Sequence, residues 1–295
     1  MFGPNVKADF NGPVYHHRGA EFHKLLDDLE RAFHEKFGLD AYDFLFVTGS
    51  GSLVNEIVMS SFRGLWAVLF ADAEFGCRLE ALENLHRKPN AWVGGIRGTA
   101  YVAYETSISR FNMLTPDKSK GIVFADMVSA FPYILPGPDV DIFTTVSSKQ
   151  LGSYPVIGII GYRKDLRLEG LFEAPVRSVL NLRAHLSFRT KAETMTTPAI
   201  PLYRDLLDCV RTFDVRALRE KIDRRRTRLI QIVGNNNVLG SGPVVTLKET
   251  PLLVRVAQEF QLYRGVAGPQ VFLYNGTGYE FNLLCEYLED IHESV

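Results

Sequence analysis

Residues 43–62 read DFLFVTGSGSLVNEIVMSSF. A short apolar run at 43–47 leads directly into a loop of glycine and serine, and a helical pattern begins at Leu53. We therefore expect a buried strand, a tight loop and a helix in succession. Such a junction favours phosphate, because glycines allow close approach and the first N–H groups of a helix attract anions. Similar loops also form for steric reasons alone, and this one matches neither a P-loop nor GxGxxG.

Further apolar runs predict that this strand belongs to a larger sheet. We expect strands at residues 65–70, 91–93, 100–104, 121–125, 140–146 and 156–162. Continuous apolar runs are typical of strands that are buried on both faces, which favours an α/β fold with a mostly parallel sheet. The segments 78–104 and 112–122 leave little room for crossover helices, so one sheet face is expected to be thinly covered.

The helical pattern changes in the last third of the chain. Helices are predicted at residues 21–37, 53–62 and 279–292, with a long helical stretch at 202–233. After that stretch come glycine- and asparagine-rich turns and an alternation of strand and helix. We therefore predict a large α/β domain at 1–205, which includes an irregular N-terminal arm, and a small C-terminal α+β domain at 206–295.

Composition excludes several classes of protein. The 295 residues carry a net charge of -1, which gives no overall attraction to nucleic acid, and the one basic stretch, 219–228, has the spacing of a solvated helix face. The apolar runs are too short to cross a membrane, and the first ten residues lack a secretory signal pattern. The three distant cysteines and the adjacent His16 and His17 form neither a disulfide framework nor a metal site, so a cytoplasmic protein without a metal is expected.

Lys149 and Asp126 are the candidate catalytic pair. Lys149 lies in the short run SSKQLG at 147–152, and Asp126 ends the apolar run 121–125. A pyridoxal phosphate (PLP) site needs an amine that forms a Schiff base with the aldehyde and a carboxylate that keeps the pyridine nitrogen protonated. A lysine among serines on a loop is otherwise an ordinary solvated residue, and an aspartate after a strand often caps a helix.

Seven motifs in chain order give these two residues a context. They are HRGAEF at 17–22, TGSGSLVNE at 48–56, EFGCR at 74–78, YETS at 104–107, DMVS at 126–129, SSKQLG at 147–152 and TMTTP at 194–198. In this order they resemble fold-type I PLP enzymes of the class V aminotransferase group, which includes alanine–glyoxylate and 2-aminoethylphosphonate aminotransferases. The resemblance covers nearly the whole chain, in a shortened form.

The resemblance implies a seven-stranded type of sheet, PLP as the cofactor, Lys149 as its Schiff-base residue and Asp126 as the partner of the pyridine nitrogen. Further cofactor contacts are expected from Gly51, Ser52, Phe75, Ser107, Val128, Ser148, Thr196 and Thr197. Among these, Phe75 would stack on the ring, although most phenylalanines are simply core residues. Thr196 or Thr197 would reach the phosphate of a partner subunit, which implies a homodimer with shared active sites. His17, Arg18 and Asn275 are expected near the substrate.

One departure from the family concerns the substrate. The segment 271–278, VFLYNGTG, is similar to a family strand whose arginine binds the substrate carboxylate, but here Leu273 occupies that position. Leucine cannot form the bidentate contact of a guanidinium with a carboxylate. Either another arginine replaces it, or the substrate lacks that carboxylate, or the carboxylate leaves as carbon dioxide. The candidates for replacement are Arg183, Arg189, Arg255 and Arg264.

Three functions follow from these patterns. The first is a PLP-dependent aminotransferase that acts on an amine or amino acid. The second is a PLP-dependent decarboxylase or other Cα lyase, with an amino-acid-modified nucleotide or DNA base of a viral modification pathway among its possible substrates. The third is a binding module that reuses the fold without catalysis.

Overall fold

A computed structural model describes residues 16–62, 65–87, 96–112, 121–166 and 178–292. The predicted strand at 91–93 and most of the predicted N-terminal arm lie outside the described residues.

The described residues form eight α-helices and twelve strands. The helices are α1 (Ala20–Phe37), α2 (Gly51–Ser61), α3 (Glu74–His86), α4 (Leu182–Arg189), α5 (Ile200–Thr212), α6 (Val215–Val233), α7 (Pro251–Glu259) and α8 (Gly278–His292). The strands are β1 (Tyr42–Thr48), β2 (Leu65–Leu69), β3 (Ile96–Val102), β4 (Tyr104–Glu105), β5 (Arg110–Phe111), β6 (Ile122–Asp126), β7 (Ile142–Val146), β8 (Ile157–Arg163), β9 (Val238–Leu239), β10 (Val244–Leu247), β11 (Tyr263–Gly265) and β12 (Gly268–Phe272).

The main sheet has the strand order β1-β8-β7-β6-β3-β2. Strand β8 is antiparallel to both of its neighbours, and the pairs β7–β6, β6–β3 and β3–β2 are parallel. The predicted α/β class with a mostly parallel sheet is therefore confirmed. Six strands of this sheet fall within the described residues.

Both faces of the main sheet are buried, which explains its continuous apolar runs. Phe44 and Phe46 of β1 join a core that includes side chains of α1 and α5. Leu45 and Val47 point the other way, into a second core with side chains of α2, α3 and α4. Successive side chains of a strand alternate between the two faces, so a strand covered on both sides needs apolar residues throughout.

The crossover between β2 and β3 does contain a helix, contrary to the expected shortage of room. Helix α3 begins at Glu74, four residues before the segment 78–104, and so has more room than that segment offers. The sequence does not indicate this start, because no local side chain caps the helix. Its first N–H groups donate instead to the carboxylate of Glu105, which is remote in sequence. The crossover between β6 and β7, residues 127–141, has no α-helix, and most of segment 112–122 lies outside the described residues.

The long helical stretch predicted at 202–233 is two helices, α5 and α6. The carboxylate of Asp214 accepts a hydrogen bond of 2.9 Å from the N–H of Ala217 and so caps the start of α6. A second sheet, β11-β12-β10-β9, follows α6. The predicted boundary near residue 205 falls within α5, whose Tyr203 packs against Phe22 of α1, and this boundary stays a prediction. No helix in the described ranges is both long and apolar enough to cross a membrane.

Candidate active site at the strand ends

The topology brings the predicted catalytic residues to one edge of the main sheet. Asp126 is the last residue of β6 and pairs in register with Val102 of β3 and Thr144 of β7. Lys149 follows the end of β7, and α2 begins after the end of β1, which runs in the same direction as β7. The carboxyl ends of parallel strands form the usual ligand site of open α/β sheets.

Asp126 is a buried carboxylate held by hydrogen bonds at both oxygens. Its Oδ1 accepts from the N–H of Val128 at 2.9 Å, and its Oδ2 accepts from Nδ2 of Asn55 at 2.6 Å. Asn55 is fixed in turn by the hydroxyl of Thr144, which donates to its Oδ1 at 2.5 Å. Burial raises the pKa of Asp126, whereas these donors and the positive charge of Lys149 lower it. A cation placed against this carboxylate would therefore favour its ionised form.

Lys149 is a partly buried amine close to this carboxylate. Burial lowers the pKa of Lys149, and the negative charge of Asp126 opposes that change. A lowered pKa increases the share of neutral amine, which is the nucleophilic form. The Nζ atom lies 5.9 Å from the centre of the Phe272 ring, on β12 of the second sheet.

The turn that carries Lys149 is held in place by its neighbour Gln150. Lys149 has a φ of 44°, a left-handed conformation that a lysine adopts only when its surroundings impose it. The side chain of Gln150 accepts from the N–H of Tyr133 at 2.9 Å and donates to the carbonyl of Ser129 at 2.7 Å. These two bonds attach the turn to the segment that follows Asp126, so the amine and the carboxylate are positioned together.

The start of α2 fits an anion at the same edge. Ser50 caps the helix by accepting from the N–H of Leu53 at 3.3 Å, which leaves the N–H groups of Gly51 and Ser52 without a partner inside the helix. A Cβ atom on Gly51 would lie 2.8 Å from Cγ2 of Val128. A larger residue at this position would press against Val128, so glycine lets the predicted phosphate loop pack directly against the predicted ring contact.

The first turn of α3 and the turn at 105–107 form the next part of the site. Phe75 is partly exposed and packs at the margin of the second core, and the guanidinium of Arg78 lies 4.9 Å from its ring centre. Ser107 is buried, and its hydroxyl accepts from the N–H of Glu74 at 3.3 Å. Ser148 precedes Lys149, and its carbonyl accepts from the N–H of Leu151 at 3.1 Å.

Other predicted residues have partners outside the group formed by Asp126 and Lys149. The guanidinium of Arg18, which follows His17, is 3.7 Å from the carboxylate of Glu193. Thr196 accepts a hydrogen bond at its carbonyl, and Thr197 is exposed. Among the described residues no hydrogen bond or ion pair joins this group to Asp126 or Lys149.

The strand β12 presents Phe272, and not Leu273, to Lys149. Leu273 is fully buried in the core, and its N–H donates to the carbonyl of Pro243 at 2.9 Å. Asn275 lies in the turn beyond β12, where its carbonyl accepts from Arg225. The family's arginine position is therefore a core position here, and an aromatic ring faces the amine.

The four arginines considered as replacements do not contact Lys149 in the described part of the chain. Arg189 pairs with Asp27 and Glu30, and Arg264 pairs with Glu249, while Arg183 and Arg255 are exposed. The same ranges contain no group of three His, Cys, Asp or Glu side chains that could hold a metal ion, and the cysteines within them are free.

Sequence reasoning missed four residues of this site: Asn55, Glu105, Gln150 and Phe272. Asn55 had a weak signal, because it is a polar residue among apolar ones in α2. Glu105 and Gln150 lie inside motifs that we recognised, but nothing in their spacing indicates which groups they bond. Phe272 was missed because the motif directs attention to the next residue.

Solved structures share this fold, although no protein-family model and no curated protein sequence matches the chain. Alanine–glyoxylate aminotransferase from Nostoc sp. superposes with a TM-score of 0.80 over 98% of this chain and 94% of its own, at 16% identity. Aspartate aminotransferase of subgroup IV from Thermus thermophilus gives 0.78 over 97% and 94%, at 19% identity. The chain has the fold of these aminotransferases.

The same fold occurs in a phosphoserine aminotransferase from Trichomonas vaginalis that was solved with PLP bound. That structure gives a TM-score of 0.69 over 93% of this chain and 90% of its own, at 14% identity. The predicted likeness to class V-type PLP enzymes is thus confirmed at the level of the fold, while the identities are too low to carry substrates across.

Proposed function

We propose that this protein is a PLP-dependent aminotransferase that acts on an amine or amino acid, with Lys149 bonded covalently to the cofactor. One observation carries the proposal: the partly buried Lys149 and the buried Asp126 lie close together at the strand ends, at the same edge of the main sheet as the start of α2. Buried ion pairs can serve structure alone, but this pair shares its sheet edge with the N-terminus of a helix, which is a position that attracts anions.

The residues at this edge fit PLP. Asp126 would hold a positive charge on the pyridine nitrogen. That cation would in turn lower the pKa of Asp126, which burial raises. The N–H groups of Gly51 and Ser52 would bind the phosphate, with Ser148 at its polar side. Phe75, Val128 and the hydroxyl of Ser107 would border the ring. When bound, PLP supplies an electron sink for the bond that breaks at the substrate Cα.

Lys149 would then have a second task as a proton carrier. Its amine, when free, would take a proton from the substrate Cα and return it elsewhere. Burial suits this task, because it lowers the pKa of Lys149 towards the range in which an amine both accepts and releases protons. His17, Arg18 and Asn275 remain our proposed substrate contacts.

We also propose a cytoplasmic homodimer in which Thr196 or Thr197 of each subunit reaches the phosphate of the other. Its support is that Thr197 is exposed and that, within the described ranges, no hydrogen bond joins it to Asp126 or Lys149. Sedimentation of the active protein tests this, and a fully active monomer would contradict it.

The reaction is tested by adding a panel of amines and amino acids to the PLP-loaded protein. Transamination moves the amino group to the cofactor, so we expect the absorbance of pyridoxamine phosphate and one equivalent of an oxo product. A cofactor that binds but stays unchanged with every donor, with no product released, would favour the non-catalytic binding module.

Decarboxylation is the second candidate, and the ring of Phe272 favours it. The amine of Lys149 faces this ring, and Leu273 is buried, so β12 offers no cation to a substrate carboxylate. A carboxylate against an apolar wall is poorly solvated and loses that penalty when it leaves as carbon dioxide. Release of carbon dioxide with PLP intact, from free amino acids or from an amino-acid-modified nucleotide, would establish this reaction and exclude transamination.

A further inference from the structure

Glu105 is a buried carboxylate that accepts four hydrogen bonds. Its Oε1 accepts from the N–H of Ser107 at 3.2 Å and from the hydroxyl of the same residue at 2.5 Å. Its Oε2 accepts from the N–H groups of Phe75 at 3.1 Å and Gly76 at 3.0 Å. The side chain is completely shielded from solvent. A buried carboxylate with four donors is held rigidly, since charge-assisted hydrogen bonds are the strong ones.

Helix α3 depends on Glu105 for its start. The N-cap residue, Ala73, has no side-chain acceptor, so the first N–H groups of the helix lack a local partner. The turn at 105–107 supplies the missing acceptors: Ser107 accepts from Glu74, and Glu105 accepts from the next two residues. The backbone from which the Phe75 side chain projects is thus fixed by a residue remote in sequence.

The close packing of α3 leaves little freedom for another arrangement. A Cβ atom on Gly76 would lie 2.2 Å from the carbonyl oxygen of Phe70, at the end of β2. The helix start is therefore pressed against the sheet edge, and a shift in its first turn would move Phe75 directly. Because Ser107 is bonded to the same carboxylate, its hydroxyl would move as well.

Hydrogen bonds also join the turn at 105–107 to the second sheet. The carbonyl of Ser107 accepts from the N–H of Val266 at 3.1 Å, and the carbonyl of Thr106 accepts from the side chain of Gln270. Glu105 therefore lies at the junction between α3 and the second sheet.

We propose that Glu105 is a positioning residue for the cofactor: through its four hydrogen bonds it sets the ring of Phe75 and the hydroxyl of Ser107 against PLP, without touching PLP itself. This inference rests on the cofactor placement under the proposed function, but not on which reaction the enzyme performs. Both oxygens must accept, because each faces two donors.

The substitution Glu105→Gln tests this requirement while preserving shape. Glutamine offers a single acceptor oxygen. Its NH₂ group would therefore face either the two donors of Ser107 or the N–H groups of Phe75 and Gly76, and those donors would lose their acceptor. Glu83→Gln is the matched control, because Glu83 is a second buried glutamate, on α3, that accepts a backbone hydrogen bond from Trp66 at 3.2 Å, and no hydrogen bond joins it to residues 105–107 in the described ranges. The measurements are the dissociation constant of PLP from the apo-protein and the circular dichroism of the bound cofactor, whose intensity reports ring orientation.

We expect Glu105→Gln to weaken PLP binding about tenfold or more, since hydrogen bonds to charged groups are lost, and to reduce the cofactor dichroism. Glu83→Gln is expected to leave both within about twofold, whatever it costs in stability. Glu105→Asp keeps the charge with a shorter reach and should fall between wild type and Glu105→Gln; this comparison alone decides the matter if the glutamine variant does not fold. Wild-type affinity and dichroism in either Glu105 variant would overturn the proposal. Absence of any cofactor band from the wild-type protein would instead contradict the proposed function.

Discussion

Lys149 at the strand ends and Lys221 on α6 are both lysines with a lowered pKa, yet their surroundings differ. Burial lowers the pKa of Lys149, and Asp126 opposes the change. Burial also lowers the pKa of Lys221, to about 8, and there the neighbouring cations Arg224 and Arg225 add to the effect. Lys221 donates to two backbone carbonyls, whereas Lys149 lies close to the carboxylate of Asp126 at the strand ends.

Arg225 shows that the region around Lys221 has a structural role. This buried guanidinium donates to the carbonyls of Leu273 at 3.0 Å, Gly276 at 3.1 Å and Thr277 at 2.9 Å, and it also bonds the carbonyl of Asn275. A permanently charged guanidinium surrounded by carbonyls holds a loop but cannot act as a nucleophile. A lowered lysine pKa therefore does not mark a reactive amine by itself; the partner groups do.

The largest difference between the two lysines is expected on their removal. Lys149→Ala should abolish the absorbance of the covalently bound cofactor, because no other described amine lies beside Asp126. Lys221→Ala should retain that absorbance. Spectra of both purified variants with added PLP provide the measurement, and persistence of the lysine-linked band in Lys149→Ala would contradict the assignment.

Removal of the carboxylate should affect chemistry more than cofactor binding. Asp126→Asn takes away the charge that would hold a protonated ring nitrogen, and loss of one partner of a buried ion pair costs about 3–5 kcal/mol. We expect turnover to fall by at least about a hundredfold, with a smaller change in PLP affinity. Asp141→Asn is the control, since Asp141 is a partly buried carboxylate that accepts from the N–H of Val123 at 2.9 Å, at the opposite ends of β6 and β7 from the site. Equal losses in both variants would reduce Asp126 to a structural role.

Loss of Arg225 should affect stability and not the cofactor. Arg225→Met leaves several buried carbonyls without a donor, so we expect the free energy of unfolding to fall by about 3 kcal/mol or more. Arg224→Met, at an exposed position, should change it by no more than about 0.5 kcal/mol. Chemical denaturation measures both. A loss of the covalent cofactor band in folded Arg225→Met would show that the two regions are not independent.

The smallest effect is a pH dependence of stability due to Lys221. Its pKa is about 8 in the folded protein against an ordinary 10.5, so between these values the unfolded chain binds more protons. The free energy of unfolding should therefore rise with pH across this window in wild type, relative to Lys221→Met. Denaturation series from pH 7 to 10.5 test this, and parallel curves for the two proteins would contradict it.

The sequence predicts the main sheet well because both of its faces are buried and its strands read as apolar runs. It also pairs Lys149 with Asp126, since motif order fixes which strand ends carry them. It fails at Phe272, because neighbouring residues of a strand point to opposite faces. Which of them faces Lys149 depends on tertiary packing, which the motif does not reveal. It fails at Arg225 as well, where helical spacing predicts a solvated face and a remote loop buries the side chain.

The most direct test of the central claim is to identify the lysine that bonds to PLP. Borohydride reduction fixes the cofactor on its lysine, and mass spectrometry of the peptides then locates the label. We expect the pyridoxyl group on Lys149 alone, with Lys221 unlabelled. A label on Lys221 or on any other lysine, or no label in a protein that binds PLP, would contradict the account.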